Sequence, residues 1–515
     1  MEKYLMILEV SQKQAYIFGS RKLSDNIRRS EEIRFVTNDG IDYRNRGGDG
    51  KDWASADFFQ LACPEGYSGE TNFVYAGGGH TVLQFDGLEA ARHFARKLTE
   101  RVLRDFPAME LFVKICPYDP AKTPGQNLTA LSAALEEKKA RRQASFRRKS
   151  FGVEHPQQRF RPSRDYQIPP LSVQVPQGWT LTTDGEQLAG EDNYLAVVHL
   201  DGNAMGKRVQ AIYQECQGDW EKCVNTLQDF SRAINRDFAA AYDAMTADLV
   251  QALERTGYPA AKAGGKKVLP VRKVVGAGDD VCFIAAGSLG LECAVRFLEH
   301  LARQEGLDGN GYAACAGVVL IHKKYPFRQA YDLSEELCSN AKKFGATLAP
   351  DSSVSALDWH IEFGQLKGAL SQIRADYQTE DGGRMELRPL VVLPGQAKDY
   401  PLERSYGFFR GVSRYLEQEK QALPRSKVKQ LRTAFRQGEL ETRLALRQTE
   451  AGELLWAGVE RRFPDYTRRA LAGEAPARDA FVTDNSDPET PVRRCLYFDA
   501  IELIDHMTFW REEER

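Results

Sequence analysis

Two glycine-rich hairpins, each followed by the same helix opening, constrain this chain more than any other feature of its sequence. Residues 74–83 read Val-Tyr-Ala-Gly-Gly-Gly-His-Thr-Val-Leu, and residues 273–284 read Lys-Val-Val-Gly-Ala-Gly-Asp-Asp-Val-Cys-Phe-Ile. Apolar, β-branched runs on both sides of a glycine turn predict a β-hairpin in each place. Helix openings come next, Gly87-Leu88-Glu89-Ala90-Ala91-Arg92-His93-Phe94-Ala95 and Gly290-Leu291-Glu292-Cys293-Ala294-Val295-Arg296-Phe297-Leu298. Ahead of the hairpins lie a strand at 4–10 with a basic helical region from Arg21 to Arg34, and a strand at 194–200 with a long helical region over about 221–255. Closing strands are read at 111–115 and 313–320. The order strand, helix, hairpin, helix, strand is the βαββαβ plan of a ferredoxin-like domain. Because it occurs twice, the two halves read as a duplicated domain in an α+β chain.

The rest of the chain divides around this repeat. At 515 residues it has room for roughly three domains. Residues 1–150 hold the first copy, 151–190 a polar, proline-bearing linker or ordered loop, and 191–350 the second copy. Residues 351–515 begin irregularly, around Asp381-Gly382-Gly383, and end in a helical domain. Helical spacing there runs from Tyr406 to Glu417, Lys427 to Arg436 and Leu440 to Val459. Seventy basic and seventy-two acidic residues leave a formal charge of -2, so affinity for nucleic acid has to come from local patches. The basic run from Lys138 to Lys149 is one such patch and suits either RNA or nucleotide phosphates. Nine cysteines without a CxxC pair predict reduced thiols rather than a zinc ribbon. With no apolar run of membrane-spanning or signal-peptide length, a cytoplasmic protein is expected.

Comparing the copies isolates the chemistry. Laid together, the hairpins put Gly79 and His80 of the first where the second has Asp279 and Asp280; the first strands, laid end to end, put Ser11 where the second has Asp201. Acids needed only for folding would occur in both copies, so these three are read as catalytic. Neighbouring carboxylates repel, and oxygen-only ligands suit Mg²⁺ or Mn²⁺. In a βαββαβ sheet the first and third strands are central neighbours, which brings Asp201 to the edge where Asp279 and Asp280 sit. The predicted metal ligands are therefore Asp201, Asp279 and Asp280, an arrangement able to hold ions for phosphoryl transfer. Gly202 and Gly206 let the backbone approach a triphosphate at a helix start, while Lys207 and Lys342 or Lys343 neutralise phosphate charge. With Asn203 and Gly278 these residues form the candidate nucleotide-binding set.

In this order the motifs resemble the large, palm-containing subunit of type III CRISPR effector complexes, of the Cmr and Csm kind. Ala277-Gly278-Asp279-Asp280 is similar to that family's Gly-Gly-Asp-Asp turn, and Asp201-Gly202-Asn203-Ala204-Met205-Gly206-Lys207 to its first palm-strand turn. The stretch Ala316 to Ala330, the helix ending Ala341-Lys342-Lys343, and Gln14-Ala15-Tyr16-Ile17-Phe18 of the first copy are further matches. The resemblance implies two palm domains that make cyclic oligoadenylate messengers. Two ATP molecules bind across the palms, and a 3′-hydroxyl attacks the next α-phosphate with metal assistance, releasing pyrophosphate before the ring closes. It implies guide or target RNA and other effector subunits as partners, with a homo-oligomer also open. No His-Asp dipeptide occurs, so the nuclease domain carried by many members, and DNA cleavage, are not expected. Ala277 replaces the turn's first glycine, altering backbone freedom, and Asn203 replaces a common acid.

Three functions are compatible with these readings: a cyclic-oligonucleotide synthase using ATP, a catalytically silent scaffold for RNA or subunits, and a GGDEF-like cyclase using GTP. The last ranks lowest because Val281-Cys282 stands where Glu-Phe would continue that motif.

Overall fold

The computed structural model describes residues 2–43, 57–141, 166–171, 173–364, 368–418, 424–449, 451–471, 480–484 and 491–510. The first repeat consists of β1 (Lys3–Ser11), α1 (Leu23–Val36), β2 (Phe73–Gly77), β3 (His80–Asp86), α2 (Leu88–Asp105) and β4 (Glu110–Pro117), followed by α3 (Pro124–Ala140). Its sheet has the order β2-β3-β1-β4, antiparallel throughout, which is the arrangement a βαββαβ chain produces. β1 lies at the centre, and Met6, Leu8 and Val10 of its apolar run are fully buried.

The second repeat takes the same route through β5 (Tyr194–Gly202), α4 (Met205–Glu215), α5 (Trp220–Thr256), β6 (Val271–Ala277), β7 (Asp280–Ala286), α6 (Gly290–Leu301) and β8 (Ala314–His322). Here the sheet does not stop at four strands. α7 (Phe327–Leu348) crosses over to β9 (Ser355–Ile361), which pairs parallel with β8, and β10 (Leu390–Leu393) adds an antiparallel edge. Segment 351–403, read from sequence as irregular, thus contributes two strands to the second palm-like sheet. Its pattern hid this because β9 is buried along its whole length yet carries polar Asp358 and His360. Those side chains are satisfied inside, Asp358 by Arg374 and Asn340 and His360 by Tyr377.

The two units pack reciprocally. In one direction Gln14 Nε2 donates to Glu335 Oε1 at 2.5 Å, and the Phe18 and Tyr331 rings lie 4.0 Å apart. In the other, α5 reaches back to the first hairpin through Gln228 Nε2 to the Phe73 carbonyl at 3.1 Å and Trp220 Nε1 to Gln84 Oε1 at 2.7 Å. One continuous hydrophobic core runs through both sheets. Part of the predicted linker, residues 151–165 and 172, lies outside the described residues. Its described remainder packs against the fold, with the Tyr166 hydroxyl on Asp105 and the Trp179 indole on Glu254.

The C-terminal block holds α8 (Tyr406–Gln418), α9 (Arg425–Gln437), α10 (Glu439–Gln448), α11 (Ala451–Arg462), α12 (Pro464–Leu471) and α13 (Phe498–Leu503), with a ribbon of β11 (Phe481–Asp484) and β12 (Val492–Cys495). The span Leu440 to Val459 is two helices rather than one. Thr449 bonds its hydroxyl to the Ala445 carbonyl at the break, a side-chain bond that competes with helix continuation. Asp499 and Glu502 of α13 hold the buried Arg388, which ties this block to the second unit.

Candidate functional site

Strand register, rather than proximity in sequence, assembles the predicted acids. Asp280, the first residue of β7, pairs directly with Asp201 near the end of β5, and with Ala277 across its own hairpin. The loop between is Gly278-Asp279, with Gly278 at φ +67°. A two-residue loop with a left-handed first residue is the II′ turn that matches strand twist. Only Gly278 needs glycine's freedom there. Ala277 ends β6 in extended conformation, so its replacement of a glycine leaves the turn unaltered. The turn is anchored from both sides: the Gly202 amide donates to the Asp279 carbonyl at 3.2 Å, and the Gly278 amide donates to Asn235 Oδ1 at 3.0 Å.

The site carries unbalanced negative charge. Burial, reinforced by Asp201, pushes the carboxyls of Asp279 and Asp280 up from 3.8 to about 7. Asp280 shows 42% of its side chain to solvent, but its inner oxygen, Oδ1, is buried without a hydrogen-bond partner. The nearest ring nitrogen, His199 Nδ1, stands 3.6 Å away and is likewise unpartnered. Burial also pushes His199 down, which keeps it neutral. Lys342 on α7 donates to Asp201 Oδ2 at 2.6 Å and to the Gly202 carbonyl at 2.9 Å. Among the described residues no three His, Cys, Asp or Glu side chains are gathered closely enough to hold a metal ion. The three acids therefore share a sheet edge without forming a ready coordination shell, Asp201 being engaged by Lys342.

The remaining predicted residues separate into two groups. Gly202 belongs at the site: a Cβ there would lie 2.9 Å from the Asp279 Cβ and 3.2 Å from its Oδ2. Gly206, in the first turn of α4, faces open space, and Lys207 reaches the Pro350 carbonyl at 3.3 Å on the rim. Asn203 turns away, its Nδ2 donating to the carbonyls of Ser352 at 3.1 Å and Val354 at 2.8 Å, and so pins the chain ahead of β9. Lys343, one residue beyond Lys342, lines a different cavity with Arg374 and Arg404. Behind the hairpin turn, a cavity of about 1370 Å³ between the units is bordered by Gly276 and Gly278, with none of the three acids in its wall.

Register also corrects the comparison between copies. His80 pairs with Glu9 as Asp280 pairs with Asp201; the counterpart of Asp201 is therefore Glu9, and Ser11 lies opposite Glu110. The first unit is not free of acid at this edge. Glu9 is held by Lys139 of α3 at 3.2 Å, as Asp201 is held by Lys342 of α7, so the carboxylate–lysine pair recurs in both units. What distinguishes the second unit is the Asp279-Asp280 turn. At the equivalent place in the first, burial together with Lys13 and Lys139 pushes His80 down to about 4. Lys138, for its part, donates to the Val113 carbonyl, and residues 142–149 of the basic run lie outside the described residues. Sequence reading missed Lys13, whose charge, from across the unit boundary, partly offsets the burial that raises the Asp280 carboxyl. It also missed His199, which two-residue strand periodicity places on the same face as Asp201.

Residues 194–347 match the sequence profile described as Cas10/Cmr2, second palm domain. The match spans the second βαββαβ unit and α7. The chain resembles Csm1 in solved Csm1-Csm4 cassettes. Against the cassette in complex with cA4 the TM-score is 0.54 at 14% identity, covering 98% of this chain and 70% of that one. The apo cassette gives 0.53 at 14% identity with the same coverage, and the AMPPNP complex 0.52 at 14% identity, covering 98% and 69%. No curated protein matches in sequence. The likeness to the palm-containing large subunit of type III CRISPR complexes therefore holds, through a Cas10/Cmr2-type second palm and a Csm1-like fold.

Proposed function

We propose that this chain is a metal-dependent nucleotidyltransferase that joins ATP into cyclic oligoadenylates within a type III CRISPR-type defence system. The observation carrying this reading is the Asp279-Asp280 turn, present in the second unit alone, registered against Asp201 and faced by Lys13 of the first. Csm1 in complexes with cA3, cA4, AMPPNP and one ATP shares the fold, which supports ATP as the substrate.

Each linkage forms a bond between a 3′-oxygen and an α-phosphorus while the bond to the β-phosphate breaks, and pyrophosphate leaves with the electron pair. Asp279 and Asp280 are the residues that would hold Mg²⁺ or Mn²⁺, joined by Asp201 when Lys342 releases it. The orphaned Asp280 Oδ1 and the raised carboxyls suit a cation, and all-oxygen donors suit a hard one. An ion held there would supply Lewis-acid activation of the attacking hydroxyl and would offset charge on the leaving group. Lys342, once displaced, and Lys13 are placed to neutralise phosphate oxygens. Gly202 keeps the turn seated on the end of β5. RNA and a Csm4-like subunit are the proposed partners; no helix among the described residues is long and apolar enough to cross a membrane.

The test is incubation of purified protein with ATP and Mg²⁺ or Mn²⁺, with and without RNA, with products identified by mass spectrometry. Product that disappears in Asp279→Ala/Asp280→Ala supports the reading, and unchanged product overturns it. One observation favours a silent scaffold instead: the Glu9–Lys139 pair shows that a lysine-bound carboxylate at this edge also belongs to a unit without the acidic turn. RNA binding with no ATP turnover under any activator would select that reading.

A further inference from the structure

Lys343 points to a second site. It borders a cavity of about 600 Å³ where the second unit meets the C-terminal block. Three arginines in its wall are almost wholly buried: Arg374 at 7%, Arg388 at 2% and Arg404 at 3% exposure. Arg384 and Arg494 join Lys343 at the rim.

The carboxylates are distributed unevenly around these cations. Asp358 accepts from Arg374 Nη2, and Asp499 and Glu502 flank Arg388 Nη1. Asp484 is shared by Arg404 at 2.8 Å and Arg494 at 2.6 Å. None of these four acids lines the cavity; Glu336 and Glu386 do. Glu336 is taken up by the Leu370 amide, and Glu386 Oε1 by Arg384 at 3.2 Å. Six cationic residues therefore border a space whose wall carries two carboxylates, Arg388 with its guanidinium tucked against the Trp359 and Tyr377 rings.

A second, independent observation points to a ligand. Arg374 Nη1, and Nε and Nη2 of Arg388, are buried donors without a hydrogen-bond partner. Lys343 makes no ion pair among the described residues. Guanidinium groups with donors left over, backed by acids and fronted by a cavity, are arranged for an acceptor that brings several oxygens.

We propose that this cavity, floored by Arg374, Arg388 and Arg404 and rimmed by Lys343, Arg384 and Arg494, binds a phosphate group. The phosphate is carried either by an RNA strand or by a small free anion. The site is separate from Asp201, Asp279 and Asp280: Lys342 and Lys343 leave α7 about 100° apart, one toward each. Occupancy braces the junction between α7, β10 and the C-terminal ribbon.

Full-length protein tests this with rim variants: Lys343→Gln breaks no ion pair among the described residues, and Arg384→Gln leaves the pairs of Arg374, Arg388 and Arg404 in place while releasing Glu386. Thermal unfolding is followed against added inorganic phosphate at constant ionic strength, and anisotropy against a short labelled single-stranded RNA. Wild type should be stabilised by the ligand it binds. Lys343→Gln and Arg384→Gln should each need about tenfold more of it, the loss of one charge-assisted contact. Lys97→Gln, exposed on α2 of the first unit, should respond as wild type. A rim-dependent phosphate response assigns a small free anion, whereas a rim-dependent RNA response with a reduced salt slope assigns a strand. If both rim variants match wild type with both probes, or Lys97→Gln is weakened equally, the assignment is overturned.

Discussion

Replacing Asp280 with Asn removes one charge whose inner oxygen the fold leaves without a hydrogen bond. Burial and Asp201 hold this carboxyl at about 7 against an ordinary 3.8. For a wholly buried group that difference corresponds to about 4 kcal/mol of strain on the ionised form. Since 42% of the side chain meets solvent, screening brings it down to about 1–2 kcal/mol. The sign is set by proton binding. Between about pH 4 and 7 the folded state holds more protons at this position than the unfolded state does. The site's contribution to stability therefore falls as pH rises through that window and is level above it. Without divalent cations, Asp280→Asn should thus be more stable than wild type by about 1–2 kcal/mol at about pH 8, with the advantage gone near pH 4. Urea unfolding monitored by circular dichroism at both pH values measures this. Added Mn²⁺ should reverse the order, because only wild type keeps the full ligand set and gains by mass action. A variant less stable at the higher pH, or equally favoured at both, would refute the electrostatic account of the turn.

Other substitutions separate positioning from binding. Gly202→Ala places a Cβ 2.9 Å from that of Asp279, costing about 1–3 kcal/mol; calorimetry should show a lower melting temperature, and Mn²⁺ titration a weaker site. Asn203→Ala removes the two bonds that hold Ser352 and Val354, costing about 1–3 kcal/mol in urea unfolding, while nucleotide affinity stays unchanged. Arg388→Met strands Asp499 and Glu502 without their cation, so about 3–5 kcal/mol should be lost, and limited proteolysis should release the C-terminal block early.

The duplicated βαββαβ plan could be read because strand runs and glycine turns are local signals. The acidic turn and Asp201 could be read together because the topology brings the first and third strands side by side. The pairing of Glu9 with Lys139 could not. A slip of two residues along a strand leaves every side chain on its own face, so the hydrophobic pattern accepts Ser11 as readily as Glu9, and only hairpin register decides. The same limit separates Lys342 from Lys343: neighbours in sequence, they leave α7 in different directions, and which one meets Asp201 depends on how the helix sits on β8. β9 escaped notice because Asp358 and His360 interrupt its apolar pattern with polar groups that the fold satisfies internally.

The central claim is that Asp279 and Asp280 turn one of two related units into a nucleotidyltransferase. Mass spectrometry of the products formed from ATP with Mn²⁺ and RNA, by wild type and by Asp279→Asn/Asp280→Asn, tests it most directly. Wild type should yield cyclic oligoadenylates and pyrophosphate, and the variant neither. Equal product from both proteins, or intact ATP with wild type across all activators, would contradict it.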